Sequence, residues 1–331
     1  MRTWTIVASV LALAVAGEAP ADQICRTRSG ILRMRPTCKK HETALPISIE
    51  DGGATVRVTG ANLQVVSGSG ATDGVENGRG NLVIGYDAAT QGQTHTGSHN
   101  LVIGDEHEYT SHGGVVAGIN NTINGPAASV LGGRASMASG EAATVTGGFG
   151  NEASGSRASV AGGYYNLASG DGATVGGGGN NKATAGTSSV AGGSNNQATG
   201  NSAAVAGGSL GVAQGEISTV SGGEFNTASG VAASVGGGTG NTAPGHGASI
   251  VGGTGNTAGG YYTSILGGLS NQASGGGILP TPDGDAAFPG GAVCGGRSNV
   301  ASGAYSAVGG GNTRSATGDD DWAAGVLFQD Q

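Results

Sequence analysis

The sequence is poor in the large side chains that fill ordinary protein cores. Of its 331 residues, 4 are phenylalanine and 2 are tryptophan, and aromatic residues make up only 4% of the chain. Charged residues are also sparse, at 11%. With 71 glycines, the composition approaches that of fibrous or disordered chains. Ordinary globular domains are therefore disfavoured. Because ordered fibrous folds have a strict sequence repeat and disordered chains do not, the presence of a repeat decides between these two classes.

Long apolar runs are confined to the N-terminus. Arg2 precedes an apolar segment, residues 4–16, that is too short to span a bilayer as a helix. The small residues of Ala19-Pro20-Ala21 then fit a cleavage site, so residues 1–21 are predicted to be a signal peptide cleaved near Ala21. A membrane anchor is the alternative. We expect a bacterial protein that is secreted or held on the outer cell surface, with no transmembrane segment in the mature chain.

Cysteine is scarce, and only 3 are present. Cys25 and Cys38 are 13 positions apart near the predicted mature N-terminus, and export to an oxidising compartment favours a disulfide between them. Two free thiols in a flexible leader are the alternative. Cys294 lies in a repeat where other copies carry other residues, and we interpret it as a tolerated small residue or, alternatively, as the site of an intermolecular bond.

Charge is distributed unevenly around the formal net value of −8. The basic residues of the first mature segment are Arg26, Arg28, Arg33, Arg35, Lys39, Lys40 and Arg57. A basic patch can bind nucleic acid or anionic polymers, but a solvated face is the simpler interpretation. Because no nucleic-acid-binding motif accompanies the patch, we expect no nucleic-acid partner.

A strict 15-residue repeat fills most of the chain. The residues that mark its phase, here called the Val column, are Val130, Val145, Val160, Val175, Val190, Val205, Val220, Val235, Ile250 and Ile265, and then Val293 and Val308 after an insertion. Two glycines stand two and three positions after each of the twelve markers, a further glycine stands ten positions after eleven of them, and asparagine stands six positions after nine. Eight positions after each marker comes the Ala column: Ala138, Ala153, Ala168, Ala183, Ala198, Ala213, Ala228, Ala243, Ala258, Ala273, Ala301 and Ala316.

This period predicts an all-β fold, a parallel β-roll or β-solenoid with 15-residue coils. So much glycine would destabilise a helix, and a collagen period of three is absent. Each coil is predicted to contain two short strands, with the Val column pointing inward from one and the Ala column from the other. The glycines are expected to form the turns, and asparagine suits a left-handed turn position or a hydrogen-bonded ladder. Equivalent residues would then stack at about 4.8 Å.

Such a coil has a thin interior. Burial of the Val side chain contributes about 1.5–3 kcal/mol, whereas ordering fifteen residues costs on the order of 15–30 kcal/mol. The backbone ladder between coils must offset most of this cost. We therefore predict self-association that buries a second surface.

The flanking segments divide the chain further. Residues 22–50 form a small Cys-containing segment, and residues 51–118 are predicted to form wider coils, because Asn-Leu pairs at 62, 81 and 100 recur every 19 residues. Regular coils follow over residues 119–318. A Gly- and Pro-rich insertion near residues 276–291 is interpreted as a tolerated surface loop or, alternatively, as part of a binding face. Residues 319–331 are expected to cap the last coil.

The repeat resembles a known family. Residues 159–170, SVAGGYYNLASG, are similar to the head repeats of trimeric autotransporter adhesins of the YadA-like type, and the similarity covers about residues 60–318. The resemblance implies a left-handed parallel β-roll, a homotrimer around one axis, and attachment to a host or matrix surface. This sequence carries neither the heptad stalk nor the C-terminal membrane segment of that family, so we expect a protein that is secreted or held by another component.

The sequence contains no convincing catalytic, cofactor or metal site, so we expect a non-enzymatic protein. His95, His99, His107 and His112 fall close together with acidic residues, and zinc is one interpretation. Their spacing matches no standard motif, which favours solvated loops. The glycine pairs lack the recurring aspartate of calcium-binding repeats.

A hydroxyl-bearing column suggests an alternative function. The residues before the markers are Ser129, Thr144, Ser159, Thr174, Ser189, Thr219, Ser234, Ser249 and Ser264. On a solenoid they would form a regular ladder, as on ice-binding solenoids. Ser and Thr also suit any outward strand position, so ice or polymer binding remains the alternative to adhesion or matrix structure.

Overall fold

The computed structural model describes residues 22–29, 32–90, 92–276, 278–281, 284–287 and 290–325. The chain divides into two compact units after Gln64. The predicted signal peptide and residues 326–331 of the predicted cap lie outside the described residues.

The first unit contains a four-stranded antiparallel sheet. Its strands are β1 (Asp22–Thr27), β2 (Leu32–Arg35), β3 (Glu42–Glu50) and β4 (Thr55–Val58), in the order β2-β1-β3-β4. A short 3-10 turn, Asp51–Gly53, connects β3 to β4. Because β4 pairs with β3, the boundary expected at residue 50 falls inside this sheet, and the unit extends to Gln64.

The second unit is a parallel β-solenoid, which confirms the predicted fold class. One sheet of 16 strands, here called the Val sheet, carries the Val column. Its strands are Leu82–Ile84, Leu101–Asp105, Val115–Ile119, Ser129–Val130, Thr144–Val145, Ser159–Val160, Thr174–Val175, Ser189–Val190, Ala204–Val205, Thr219–Val220, Ser234–Val235, Ser249–Ile250, Ser264–Ile265, Ala292–Val293, Ala307–Val308 and Trp322–Ala323.

A second sheet of 14 strands, here called the Ala sheet, carries the Ala column. Its strands are Glu108–Tyr109, Thr122–Ile123, Met137–Ala138, Glu152–Ala153, Leu167–Ala168, Lys182–Ala183, Gln197–Ala198, Val212–Ala213, Thr227–Ala228, Thr242–Ala243, Thr257–Ala258, Gln272–Ala273, Val300–Ala301 and Ser315–Ala316. Each strand pairs in parallel with the equivalent strand one coil later, so that Val130 lies beside Val145 and Ala138 beside Ala153.

The interior holds four inward columns, two more than the sequence suggested. Members of the Val and Ala columns are at most 2% exposed. The asparagines six positions after the markers are equally buried. A fourth column, two positions before the markers, consists of small residues: Ala128, Ala143, Ala158, Ala173, Ser188, Ala203, Ser218, Ala233, Ala248, Thr263 and Ser306. Each coil therefore buries more than one Val and one Ala, and the predicted interior was too thin.

The corners of each coil use left-handed backbone. In the coil that begins at Val130, φ is 86° at Gly133, 53° at Ala135 and 53° at Ala142. Glycine is required at the first of these positions, because a Cβ atom there would overlap the carbonyl oxygen of Gly148 in the next coil.

The irregular segments keep the solenoid in register. In the wider coils, Leu82 pairs with Leu101, but residues 62–66 form no strand, contrary to the 19-residue pattern. The insertion forms an antiparallel hairpin, Ile278–Thr281 with Gly284–Ala287, after which Val293 pairs with Ile265. At the other end, Trp322–Ala323 in the predicted cap extends the Val sheet by one strand.

Candidate interaction surfaces

The outer surface of the Val sheet is uniform and uncharged; we call it the Ser/Thr face. The residue before each marker is Ser or Thr in nine copies and Ala in the other three. The residue after each marker is exposed in every copy and uncharged: Leu131, Thr146, Ala161, Gly176, Ala191, Ala206, Ser221, Gly236, Val251, Leu266, Cys294 and Gly309. Hydroxyl groups on neighbouring coils are close enough to bond, as between Ser234 Oγ and Ser249 Oγ at 3.2 Å.

A column of glycines borders this face, two positions after each marker. At eight of them, φ lies outside the left-handed range and an added Cβ atom would meet nothing within 4 Å: Gly147, Gly162, Gly192, Gly207, Gly222, Gly237, Gly252 and Gly267. The single chain therefore gives no steric reason for glycine at these positions, although all twelve copies have it.

The outer surface of the Ala sheet is different. The outward residues seven positions after the markers include Met137, Glu152, Leu167 and Lys182. Charged, apolar and polar residues therefore occur in this column in no regular order. Variation of this kind is typical of a face in contact with solvent.

The recurring asparagines form a buried hydrogen-bonded ladder. The Oδ1 of Asn151 accepts a hydrogen bond from the backbone N–H of Asn166 at 3.0 Å. Its Nδ2 donates to the carbonyl oxygens of Gly147 at 2.9 Å and Gly163 at 3.0 Å. The left-handed residue is the one before each asparagine, such as Gly150 with φ of 63°, so the predicted left-handed position for asparagine was wrong. The predicted ladder is present, and its role is structural.

The four histidines hold loops of the wider coils rather than converging on one point. His107 is fully buried; its Nδ1 accepts from the Asn121 N–H at 3.3 Å and its Nε2 bonds the Ile103 carbonyl at 3.0 Å. His95 Nε2 lies 2.8 Å from the His107 carbonyl oxygen. Within the part of the chain that the structure describes, no group of three or more His, Cys, Asp or Glu residues is placed to hold a metal ion.

The other two histidines fix the loop that precedes them. His99 Nε2 accepts from the Ser67 N–H at 3.0 Å, and its Nδ1 is 3.1 Å from the Thr72 carbonyl oxygen. His112 Nδ1 lies 3.0 Å from Glu76 Oε1, and this hydrogen bond lowers the pKa of Glu76. The side chains of His99 and His112 therefore hold residues 67–76 in place by hydrogen bonds.

Asp87 is the centre of a second loop contact. It is 8% exposed, and its Oδ1 accepts the His107 N–H at 3.2 Å. Tyr109 is 4% exposed and stacks on His95 with ring centroids 4.7 Å apart. Burial, assisted by the charge of Asp87, raises the pKa of Tyr109 to about 12.

The three cysteines form one disulfide in the first unit and one free thiol in the solenoid. Cys25 in β1 and Cys38 after β2 form a disulfide, with Cα atoms 5.5 Å apart. Cys294 is a free, exposed thiol on the Ser/Thr face. Two arginines of the basic segment pair with acids, Arg35 with Glu42 at 3.3 Å and Arg57 with Glu50 at 2.8 Å.

Comparison of the chain with protein-family models and with curated proteins gave no match in either case. Among the described residues, no helix has the length and apolar character needed to cross a membrane.

Proposed function

We propose that this chain is an exported, non-enzymatic surface protein whose solenoid serves as an attachment or structural module. The observation that carries the proposal is the uncharged Ser/Thr face, which continues over twelve coils beside a glycine column that the single chain does not require. A face without charge, beside glycines that the single chain does not require, points to close contact with another surface.

The surface that covers the Ser/Thr face is a second copy of the chain. Leu131, Val251 and Leu266 are more than half exposed on it, and their burial would add to stability. The unpatterned outer surface of the Ala sheet stays in solvent. Three copies around one axis, as in the adhesin heads that the repeat resembles, would bury the face in every chain and leave the Ala sheets outward for attachment to a host or matrix surface.

Bulky side chains on the glycine column test this arrangement. The triple variant Gly192→Gln, Gly207→Gln and Gly222→Gln places each new Cβ atom where the single chain has nothing within 4 Å. Its matched control, Thr227→Gln, Thr242→Gln and Thr257→Gln, places the same side chain on the Ala sheet, where Gln197 and Gln272 already occupy the column. We expect the first variant to sediment as a monomer and the control to remain associated. Equal mass for both variants would contradict the proposed interface.

Ice or polymer binding is the second candidate, and the regular hydroxyl ladder from Ser129 to Ser264 favours it. This function needs the Ser/Thr face to be free rather than covered by another copy. A thermal-hysteresis assay on the mature protein separates the two: unchanged ice growth eliminates ice binding, whereas hysteresis from a monomer would replace the adhesin proposal.

A further inference from the structure

Three exposed aromatic side chains meet at one corner of the solenoid. Phe149, Tyr164 and Tyr165, here called the aromatic platform, are 42%, 50% and 56% exposed. The ring of Tyr165 is nearly perpendicular to both others, at 82° to Phe149 with centroids 5.2 Å apart and at 85° to Tyr164 with centroids 6.4 Å apart. Aromatic residues make up only 4% of the chain, so three exposed rings in mutual contact form a distinct group.

Two rings of the platform lie on glycines of the neighbouring coils. A Cβ atom at Gly150 would be 2.7 Å from Cδ1 and Cε1 of Tyr165, and one at Gly179 would overlap Cζ of Tyr164. Gly179 is the only glycine at its position among the twelve copies, and its φ does not require glycine. Tyr164 and Tyr165 therefore each pack against glycine backbone, which explains why they are only about half exposed.

The left-handed backbone at Tyr165 is shared by the equivalent residue of every regular coil. Tyr165 has φ of 52°, a conformation that is unfavourable for a bulky residue. Asn180 and Asn195 occupy the same position one and two coils later, and asparagine tolerates this conformation well. Phe225 occupies the same left-handed position in another coil, so what distinguishes Tyr165 is its contact with two other exposed rings.

The position of Arg134 adds a cation to the platform. Arg134, Phe149 and Tyr164 are neighbours in one column, connected by parallel bridges between successive coils. Arg134 is exposed, and none of the ion pairs among the described residues includes it. Adjacent members of the column are separated by about 4.8 Å, the spacing of neighbouring strands, so the cation and the rings form one continuous row.

We propose that the aromatic platform and Arg134 bind an extended polysaccharide that carries carboxylate groups. The apolar faces of its sugar rings would pack on the exposed aromatic faces, and the tyrosine hydroxyls would bond sugar hydroxyls, because tyrosine combines an apolar body with a polar tip. Arg134 would hold a carboxylate in a paired hydrogen-bonded contact. The proposal gives a ligand class to the proposed attachment function, on a surface separate from the Ser/Thr face.

The test uses the mature protein and alginate, a polyuronate, with dextran as the neutral control polymer. In the variant Tyr164→Ser and Tyr165→Asn, each new residue already occurs at the same repeat position, at Ser194 and Asn180. Phe225→Asn is the matched control, because Phe225 is equally exposed at the position of Tyr165 but belongs to a distant coil. We expect titration calorimetry to show at least tenfold weaker alginate binding for the double variant, unchanged binding for Phe225→Asn, and weaker binding for Arg134→Ser.

Three outcomes would overturn the proposal: no alginate binding by the wild-type protein, equal binding by the double variant, or binding of dextran as strong as that of alginate. Sedimentation of the same variants separates this proposal from the proposed assembly. If the double variant forms a smaller assembly than the wild-type protein, the platform is a contact between copies. This result too would contradict polysaccharide binding. Equal mass for the glycine-column variant and its control, with intact alginate binding, would contradict the assembly alone.

Discussion

The backbone N–H of Asn166 donates to Oδ1 of Asn151, fifteen residues earlier, and both residues are 1% exposed. The same bond joins Asn181 to Asn166, so each amide side chain connects its own coil to its neighbours. The ladder satisfies polar backbone groups in an interior that would otherwise leave them without partners.

Removal of one rung is expected to destabilise the solenoid. In Asn166→Ala, the N–H of Asn181 and the carbonyl of Gly162 lose their partner, and the carbonyl of Gly178 keeps only the bond from the Tyr164 N–H. An unsatisfied buried group costs about 1–3 kcal/mol, so the free energy of unfolding should fall by at least that amount. Urea denaturation measures the change.

The ladder also offers a stabilising control. Gly211 replaces asparagine in one coil, and no acceptor for the Asn226 N–H is present among the described residues. Gly211→Asn would supply that acceptor at a position where φ does not require glycine, and should add about 0.5–1.5 kcal/mol. Destabilisation by this variant would show that the ladder is interrupted for a reason other than the missing side chain.

A single methyl group at a corner should be poorly tolerated. Gly208 has φ of 86°, and a Cβ atom there would overlap the carbonyl oxygen of Gly223. Overpacking costs about 1–3 kcal/mol, and the left-handed backbone adds to that in Gly208→Ala. Gly259→Ala is the control, because nothing lies within 4 Å of the new atom. Calorimetric melting should separate the two, and equal transition temperatures would argue against the stacked-coil geometry.

Tyr109 should make the wider coils sensitive to alkali. Its pKa rises from the usual 10.0 to about 12, so the folded state retains the phenol proton that the unfolded chain loses. Stability from this group is complete below about pH 10 and is lost as the pH rises toward about 12. Tyr109→Phe should remove that part of the pH dependence. Tyrosinate absorbance is the measurement, and a normal titration of all seven tyrosines would be the opposite result.

Loss of the disulfide should affect the first unit alone. Cys25 and Cys38 close a short loop, and a bond of this kind contributes about 2–4 kcal/mol. The double change to alanine should therefore increase proteolysis of residues 22–64 and leave the solenoid protected. Cys294→Ala, at an exposed free thiol, is the control and should behave as the wild-type protein. Parallel loss of protection in both units would contradict their division.

The 15-residue period predicted the two parallel sheets and the inward Val and Ala columns, because each of these columns is uniform in the sequence. The inward Ala128 column was missed, since its Ala, Ser and Thr residues are also common on surfaces. Asn151 was misplaced because asparagine suits left-handed turns, and only the structure shows its amide bonded to three backbone groups. The 19-residue pattern failed at residues 62–66, where no strand pairs, and the pairing of β4 with β3 lay outside any repeat.

The aromatic platform shows a further limit of the sequence. Phe149, Tyr164 and Tyr165 are ordinary variable positions of the repeat when taken one at a time. Their significance depends on which neighbouring coil supplies a glycine beneath each ring, and this follows from stacking rather than from spacing along the chain.

Sedimentation of the mature protein, with and without reductant, tests the central claim most directly. We predict a stable assembly of three chains whose mass does not change on reduction, because contact through the Ser/Thr face requires no intermolecular disulfide. A stable monomer would contradict the proposed burial of that face. An assembly that dissociates on reduction would also contradict it, because Cys294 rather than the face would then hold the copies together.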